Sequence, residues 1–409
     1  MIVKWRNAKH IKPQSILDKY SSIISINKDG SITFTGMEYY DVMATLQGMV
    51  RFPLSANGLE KDLIVSDAIK KMAKKSTLNA KEVMNEINMT VCNEHSMVEC
   101  KYHVLTSLSV HNSFPIKNYE VEDCRFRLFD REYPKKYSSR SRIIRNNFTF
   151  KDNTPNYYAK AIVSLKAKSV RAAASKALDS IDIIRSIWCL FNNSTMEYFS
   201  NNKWYPINKI RLGEIHTIHK ENGKSASDEL WYEPNFVKAN LFSPNKPEIL
   251  RKNFKWAMDK IGESSYEEKI KKALLRYVRA LDEKDYNVAL IKLWGALEEL
   301  TSPSQANYDL ITKRVSFLFV EREYHKQVLE NLREYRNRTV HSGEYEERAR
   351  HYCFQLQYYF FILVQFHMRN ANEFSDINEA NRFLDFPHDK RLLEKQKVML
   401  EKAIKFVSD

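Results

Sequence analysis

The clearest hydrophobic pattern lies at residues 169–191, where Val170, Ala174, Leu178, Ile181, Ile184, Trp188 and Phe191 recur every three or four positions. That period places them on one face of a helix, so the spacing predicts an amphipathic helix packed on strands. Strand-like sequence surrounds it: 101–111 (KYHVLTSLSVH), 157–168 (YYAKAIVSLKAK, with alternating apolar positions) and a stretch around 208–219. Nearer the start, Ile23–Ile26 and Ile32–Phe34 flank Asn27-Lys28-Asp29-Gly30 and predict a β-hairpin with Asp-Gly in its turn. Residues from about Gly58 to Asn88 read as two helices broken near Ser76-Thr77.

Beyond residue 249 the pattern is helical to the end, with helices expected over about 249–261, 264–283, 286–301, 308–320, 322–341, 344–369 and 389–407. Ile270, Leu274, Tyr277, Val278 and Leu281 form one apolar face, and Ile291, Trp294, Leu297 and Leu300 form another. Short connectors between long helices predict antiparallel neighbours, hence a bundle. Pro234, Pro244 and Pro247 mark the boundary before it. The expected fold class is α+β, an N-terminal mixed α/β region followed by a C-terminal all-α bundle. The expected divisions are an α+β region of unknown role at 1–100, a basic α/β recognition or regulatory domain at 101–247, and the helical bundle at 248–409.

Composition narrows the classes. With 43% hydrophobic and 28% charged residues, a chain of 409 residues can bury a core. The longest apolar block, Tyr358 to Val364, is seven residues, far short of the ~20 that span a bilayer. The start MIVKWRNAKH has no apolar h-region, and five cysteines, an odd number, fit a reducing compartment, so a cytoplasmic protein is expected. The nine glycines lie at 30, 36, 48, 58, 213, 223, 262, 295 and 343, never closer than six positions. A dinucleotide fingerprint needs glycines two apart and a P-loop needs them five apart before a Lys, so neither motif is present. G-x-S-x-G and H-E-x-x-H are also missing.

The net charge of +14 is concentrated in the first 248 residues, which hold 37 Lys+Arg against 26 Asp+Glu. It is densest at 131–176, with twelve basic residues opposed only by Glu132 and Asp152. A field of one sign favours a polyanionic partner, most simply nucleic acid. Within it, Arg131–Arg145 (REYPKKYSSRSRIIR) interleaves Lys135, Lys136, Arg140, Arg142 and Arg145 with Tyr133 and Tyr137. Cations for phosphates and rings for stacking are the parts of a single-strand RNA contact; a solvated loop is the plainer alternative.

The stretch with the most chemistry is Glu334-Tyr335-Arg336-Asn337-Arg338-Thr339-Val340-His341-Ser342-Gly343. Gly343 is placed to end the helix, which puts His341 where the chain bends. On an ideal helix Asn337 and His341 share a face, whereas Arg336 is rotated by ~100°. Closing a site from all three therefore needs a bend or a second copy of the chain. Three Arg–His pairs have comparable spacing: Arg336–His341, Arg211–His216 and Arg382–His388. Only the first has a polar residue after the arginine and lies in the helical region.

Arg336-Asn337-x-x-x-His341 resembles the R-x(4–6)-H motif of the HEPN superfamily, and looks most like the Apea-like HEPN branch found in bacterial anti-phage proteins. LWGALEELTS (293–302), ITKRVSFLF (311–319) and the aromatic helix after His341 follow in that family's order, so the resemblance covers about 250–370 and, more weakly, 155–245. Residues 1–100 match no family by this comparison of motifs. The resemblance implies a metal-independent endoribonuclease needing no cofactor, in which the ribose 2′-OH attacks the adjacent phosphate to give 2′,3′-cyclic phosphate and 5′-OH ends. His341 suits the proton transfer, and Arg336 suits the charge that builds on the phosphate. Asn337 would orient the imidazole or hold a phosphate oxygen, Arg338 would contact RNA, and Glu298 or Glu299 would balance the arginine. The implied partners are RNA, tRNA among the candidates, a second copy through the HEPN domain, and a phage-derived trigger sensed by the N-terminal part; no membrane is implied. The rival reading is a non-catalytic HEPN module that binds RNA or protein.

Two weaker patterns complete the reading. Cys92, His95, Cys100 and His103 have spacing that superficially suits zinc, but a strand at Tyr102–Val110 would carry His103 away, and a chance cluster is the favoured reading. His216 and His219 read as surface or pocket-lining residues of a strand.

Overall fold

The computed structural model describes residues 2–29, 31–36, 38–53, 56, 59–75, 78–96, 98–146, 151–196, 205–302, 308–342 and 348–407, apart from the side chains of residues 95, 308, 341 and 342. Contacts divide the chain into two units, Met1–His103 with Ser164–Ala177, and Val104–Val163 with Leu178–Asp409. The protein is mixed α/β, with sheets in the N-terminal part and a helical C-terminal part, consistent with the α+β class.

In the first unit, β1 (Lys4–Trp5), α1 (Pro13–Ile23), β2 (Ile24–Ile26), β3 (Ile32–Phe34), α2 (Glu38–Met49), β4 (Val50–Arg51), α3 (Lys61–Lys74) and α4 (Ala80–Ser96) follow in order. The expected hairpin is present: β2 and β3 pair antiparallel with Ser25 opposite Thr33, and the Asp29 carboxylate accepts from the Ser31 backbone N–H at 2.9 Å. Gly30 of its turn lies outside the described residues, as do Gly58 and the Ser76-Thr77 break between α3 and α4. The helices bury Leu17, Tyr20, Leu46, Ile69, Val83 and Ile87 in one core. Asn88 of α4 fastens the chain start through both polar groups of Val3, at 2.8 and 3.1 Å.

The remaining elements are β5 (Cys100–Leu108), β6 (Asn118–Val121), β7 (Cys124–Phe129), α5 (Ser139–Asn146), β8 (Ala159–Ala167), α6 (Val170–Asn192), β9 (Ile215–Lys220) and β10 (Trp231–Tyr232). The strands form a six-stranded sheet in the order β10-β9-β5-β8-β7-β6. Of the stretch around 208–219, only the end becomes strand; Leu212 makes an isolated bridge to Leu108 instead. Of the expected apolar face of α6, Ala174, Ile181, Ile184 and Trp188 are buried and Val170, Leu178 and Phe191 half-buried, and Trp188 meets Phe114 at 4.6 Å and Phe126 at 5.9 Å between ring centroids. The β6–β7 turn places Glu122 at φ 52, a left-handed conformation that costs a non-glycine residue energy. Its carboxylate is held at 2.8 Å by Lys271, a largely buried lysine of the helical part.

The helical part comprises α7 (Pro247–Glu263), α8 (Glu267–Ala280), α9 (Tyr286–Thr301), α10 (Tyr308–Ser316), α11 (Arg322–Ser342), α12 (Ala349–Arg369), α13 (Ile377–Leu384) and α14 (Lys390–Val407). Pro247 opens α7 at its first turn, where its missing N–H has no helical partner to lose. Asp285 caps α9 by accepting from the Asn287 and Val288 N–H groups at 2.8 and 3.4 Å. Helix α9 is central, packing on α8, α10, α11 and α12, with Leu290, Leu293, Trp294 and Leu297 fully buried. Helix α13 was not expected from the sequence. Helix α14 buries none of its residues. Among the described residues, no helix is long and apolar enough to cross a membrane.

Candidate active site

Helix α11 is anchored by one stripe, Leu329, Leu332, Tyr335 and Thr339, all buried. The Tyr335 hydroxyl donates to the Asn287 side chain at the start of α9, and its ring lies 5.0 Å from that of Tyr352 on α12. With that stripe turned inward, helical geometry puts Arg336 and Asn337 at its edges, and both are half-buried. Arg338, a further 100° round per residue, is exposed. The Arg336 guanidinium donates through Nη1 to the Asn337 Oδ1 at 3.2 Å. Adjacent helical positions point apart at the backbone, and the long arginine side chain closes that gap.

The acidic group facing Arg336 is Glu298 of α9. Burial pushes its carboxyl above the usual carboxylate range, while the Arg336 and Arg276 guanidiniums pull it back down. Glu299 turns to the other side, toward α8, where Lys269, Lys272 and Arg276 lie 3.3, 3.0 and 3.2 Å from its carboxylate. His341 falls within α11, four residues after Asn337 and on its face, but its side chain lies outside the described residues, as does Gly343. The described part of the constellation is thus a guanidinium held beside an amide at the rim of the bundle, with the half-buried Glu298 nearby. Such a group can stabilise negative charge on a phosphate without a metal.

The basic stretch is divided by the fold. Lys135 and Lys136 are exposed in a single 3-10 turn, and Arg142 and Arg145 are exposed on α5. Arg140 points inward: it is 8% exposed and donates to the Thr217 hydroxyl at 2.7 Å and the Ile215 carbonyl at 2.9 Å. Lys136 reaches the Glu221 carbonyl at 3.2 Å, and Arg145 bonds the Ser141 carbonyl one helical turn back at 3.3 Å. Of the cysteine–histidine quartet, Cys92 and Cys100 are exposed and His103 lies on β5 with its Nδ1 2.7 Å from the Ser164 hydroxyl. The side chain of His95 lies outside the described residues.

His216 and His219 are fully buried, so their placement at the surface is corrected. His216 bonds Thr106 at 2.8 Å and Glu233 at 3.1 Å; His219 bonds Thr217 and the Gly223 carbonyl, each at 3.0 Å. From Glu233 the polar chain continues through Arg279 to Asp182, then Arg185 and Asp282. Pairing with His216 and Arg279 outweighs burial and holds the Glu233 carboxyl down at about 2. The sequence carries no local signal for this network, because its members are spread over β5, α6, β9, α8 and the loops between.

Burial also lowers the His219 imidazole from 6.5 to about 4, with nearby Arg140 acting in the same direction and the Gly223 carbonyl opposing. His367, enclosed against Tyr266, is lowered to about 3 by burial. Below pH 6.5 the unfolded chain takes up these protons and the folded chain does not. Stability from both groups is therefore complete above pH 6.5 and is lost as the pH falls to about 4 for His219 and about 3 for His367, roughly 3 kcal/mol from His219 alone. A urea-unfolding series from pH 7.5 to 4.5 checks this. His219→Asn should flatten the slope, and an unchanged slope would contradict the buried neutral assignment.

Comparison of the chain with protein-family models, curated proteins and solved structures finds no match.

Proposed function

We propose that the protein is a metal-independent endoribonuclease of HEPN type that acts in bacterial anti-phage defence, cutting RNA to 2′,3′-cyclic phosphate and 5′-OH ends. The observation that carries this reading is the Arg336–Asn337 pair, hydrogen-bonded at 3.2 Å at the edge of α11 and one helical turn before His341. Arg336 supplies fixed charge to the pentacoordinate phosphate, and His341 moves the 2′-OH proton. Asn337 holds the guanidinium in place. The N-terminal part, the first 245 residues, senses a trigger or restrains the site, since an unrestrained ribonuclease would harm its own cell.

Two copies bring two motifs to one phosphodiester in this reading. What supports a second copy is α14, on which Met399, Leu400 and Ile404 are 59%, 61% and 65% exposed. Such a continuous apolar face on a helix is covered in most folded proteins. The test is incubation of the purified protein with tRNA and total RNA in EDTA, beside Arg336→Ala and His341→Ala. Cutting that survives EDTA and disappears in both variants supports the enzyme. Variants that behave like the wild type leave a non-catalytic binding module.

A further inference from the structure

A cleft of about 650 Å³ lies within the second unit, away from the α11 motif in sequence and built on different elements. Its walls come from the loop Arg131–Pro134, the turn at 135–138, the start of α5, and residues 152–160. The volume falls in the range of small-molecule sites, ~300–1,000 Å³, and exceeds what one inorganic anion fills.

The charge in the walls is lopsided. Arg131, Lys135, Arg140 and Lys160 face Glu132 and Asp152. Asp152 approaches Arg140 at 3.8 Å. Among the described residues, none of Arg131, Lys135 and Lys160 has a carboxylate within 4.0 Å. Among the described residues, Lys160 is tied only to the Asn156 carbonyl, at 3.2 Å. Burial holds its ammonium below the usual value, Arg140 adding to the effect and Asp152 opposing it, so an incoming anion would relieve an existing cost.

The floor is preorganised. Arg140 is fixed by Thr217 and Ile215, and its guanidinium lies 5.2 Å over the Tyr133 ring. The Tyr133 hydroxyl in turn donates to the Thr106 carbonyl of β5. A buried cation held by the sheet gives a fixed positive field that needs no reorganisation when a ligand arrives. Ser107, Thr154 and Asn156 add neutral hydrogen-bonding groups suited to hydroxyls or a heterocycle.

We propose that this cleft is a binding site for a nucleotide-sized organic phosphate carrying two or more negative charges, bound by Arg131, Lys135 and Lys160 over the Arg140 floor. This goes beyond the nuclease reading and does not depend on it. It also separates the basic residues of 131–145 into two groups. Arg131, Lys135 and Arg140 belong to the cleft, whereas Lys136, Arg142 and Arg145 do not line it.

The test is isothermal titration of the full chain with ADP in EDTA at low salt, with inorganic phosphate and a 12-nucleotide RNA as the other arms. ADP should bind at one site per chain, at least tenfold tighter than inorganic phosphate. Lys160→Gln and Arg131→Gln should each weaken ADP binding by tenfold or more without lowering the melting temperature. Arg142→Gln and Arg336→Ala should bind ADP as the wild type does, and Arg336→Ala thereby keeps this result separate from any failure of cleavage. Absence of ADP binding would overturn the proposal, as would wild-type affinity for ADP in the two cleft variants. RNA that displaces ADP and is itself weakened by Arg142→Gln would also overturn it, in favour of a strand-binding surface.

Discussion

Arg336→Ala should lower RNA cleavage by roughly 100- to 1,000-fold, the loss usual when one preorganised charge donor to a transition state is removed. The effect should fall on kcat, with KM for RNA little changed, because in the proposed reaction the charge that Arg336 meets develops only as the fifth oxygen closes on phosphorus. Arg336→Lys keeps the charge but loses the planar fork that reaches Asn337 at 3.2 Å. It should recover part of the rate and no more. The variant should stay folded, because α11 is held by Leu329, Leu332 and Tyr335 rather than by the half-buried guanidinium. Single-turnover cleavage of a labelled RNA measures these rates. Arg336→Ala cutting at more than half the wild-type rate would remove the arginine from the chemistry.

The largest expected loss of stability belongs to Arg185. It is completely buried and donates to Asp182 at 2.9 and 2.7 Å, to Asp282 at 2.9 and 2.6 Å, and to the Ile210 carbonyl at 3.2 Å. Five donors meeting five acceptor contacts offset the desolvation of one cation; removing it leaves Asp182, also fully buried, with Arg279 alone. Arg185→Met should therefore cost about 3–5 kcal/mol, the range for breaking a buried ion pair from one side. Urea unfolding followed by tryptophan fluorescence reads it, since Trp188 lies one turn away on α6. A loss below about 1 kcal/mol would mean that water or a rearranged partner takes the place of the guanidinium. Replacing Arg185 and its two carboxylate partners together with apolar residues should recover most of the loss, because no buried charge is then left alone.

Helices with a sustained apolar period were legible. The expected 286–301 coincides with α9, and 169–191 with α6 to within one residue at each end, because Trp188, Trp294 and their neighbours repeat at helical spacing over several turns. Helix α13 was not legible: it has only eight residues, its buried apolar residues are just Ile377, Ala380 and Leu384, and its strongest signal is the Asp376 cap, which accepts from Asn378 and Glu379. The β6–β7 hairpin was hidden for another reason. Its turn uses Glu122 where a glycine would advertise the positive φ, and the distant Lys271 supplies the compensation. Charge was the least legible property. Arg140, Asp182, Arg185 and Glu233 look like solvated residues one by one, and only the tertiary fold brings their partners to them. Of the motif, the helix expected at 322–341 coincides with α11 to within one residue and carries Arg336 and Asn337, and the choice of Glu298 over Glu299 required the packing of α8 against α9.

The most direct test of the proposed chemistry is the nature of the new RNA ends produced by the wild-type protein in EDTA. The account predicts 3′ fragments with a free 5′-OH, labelled by polynucleotide kinase without prior phosphatase, and 5′ fragments ending in 2′,3′-cyclic phosphate that resist ligation until opened. New 5′-phosphate and 3′-OH ends, or cutting that stops when divalent metal is removed, would contradict it.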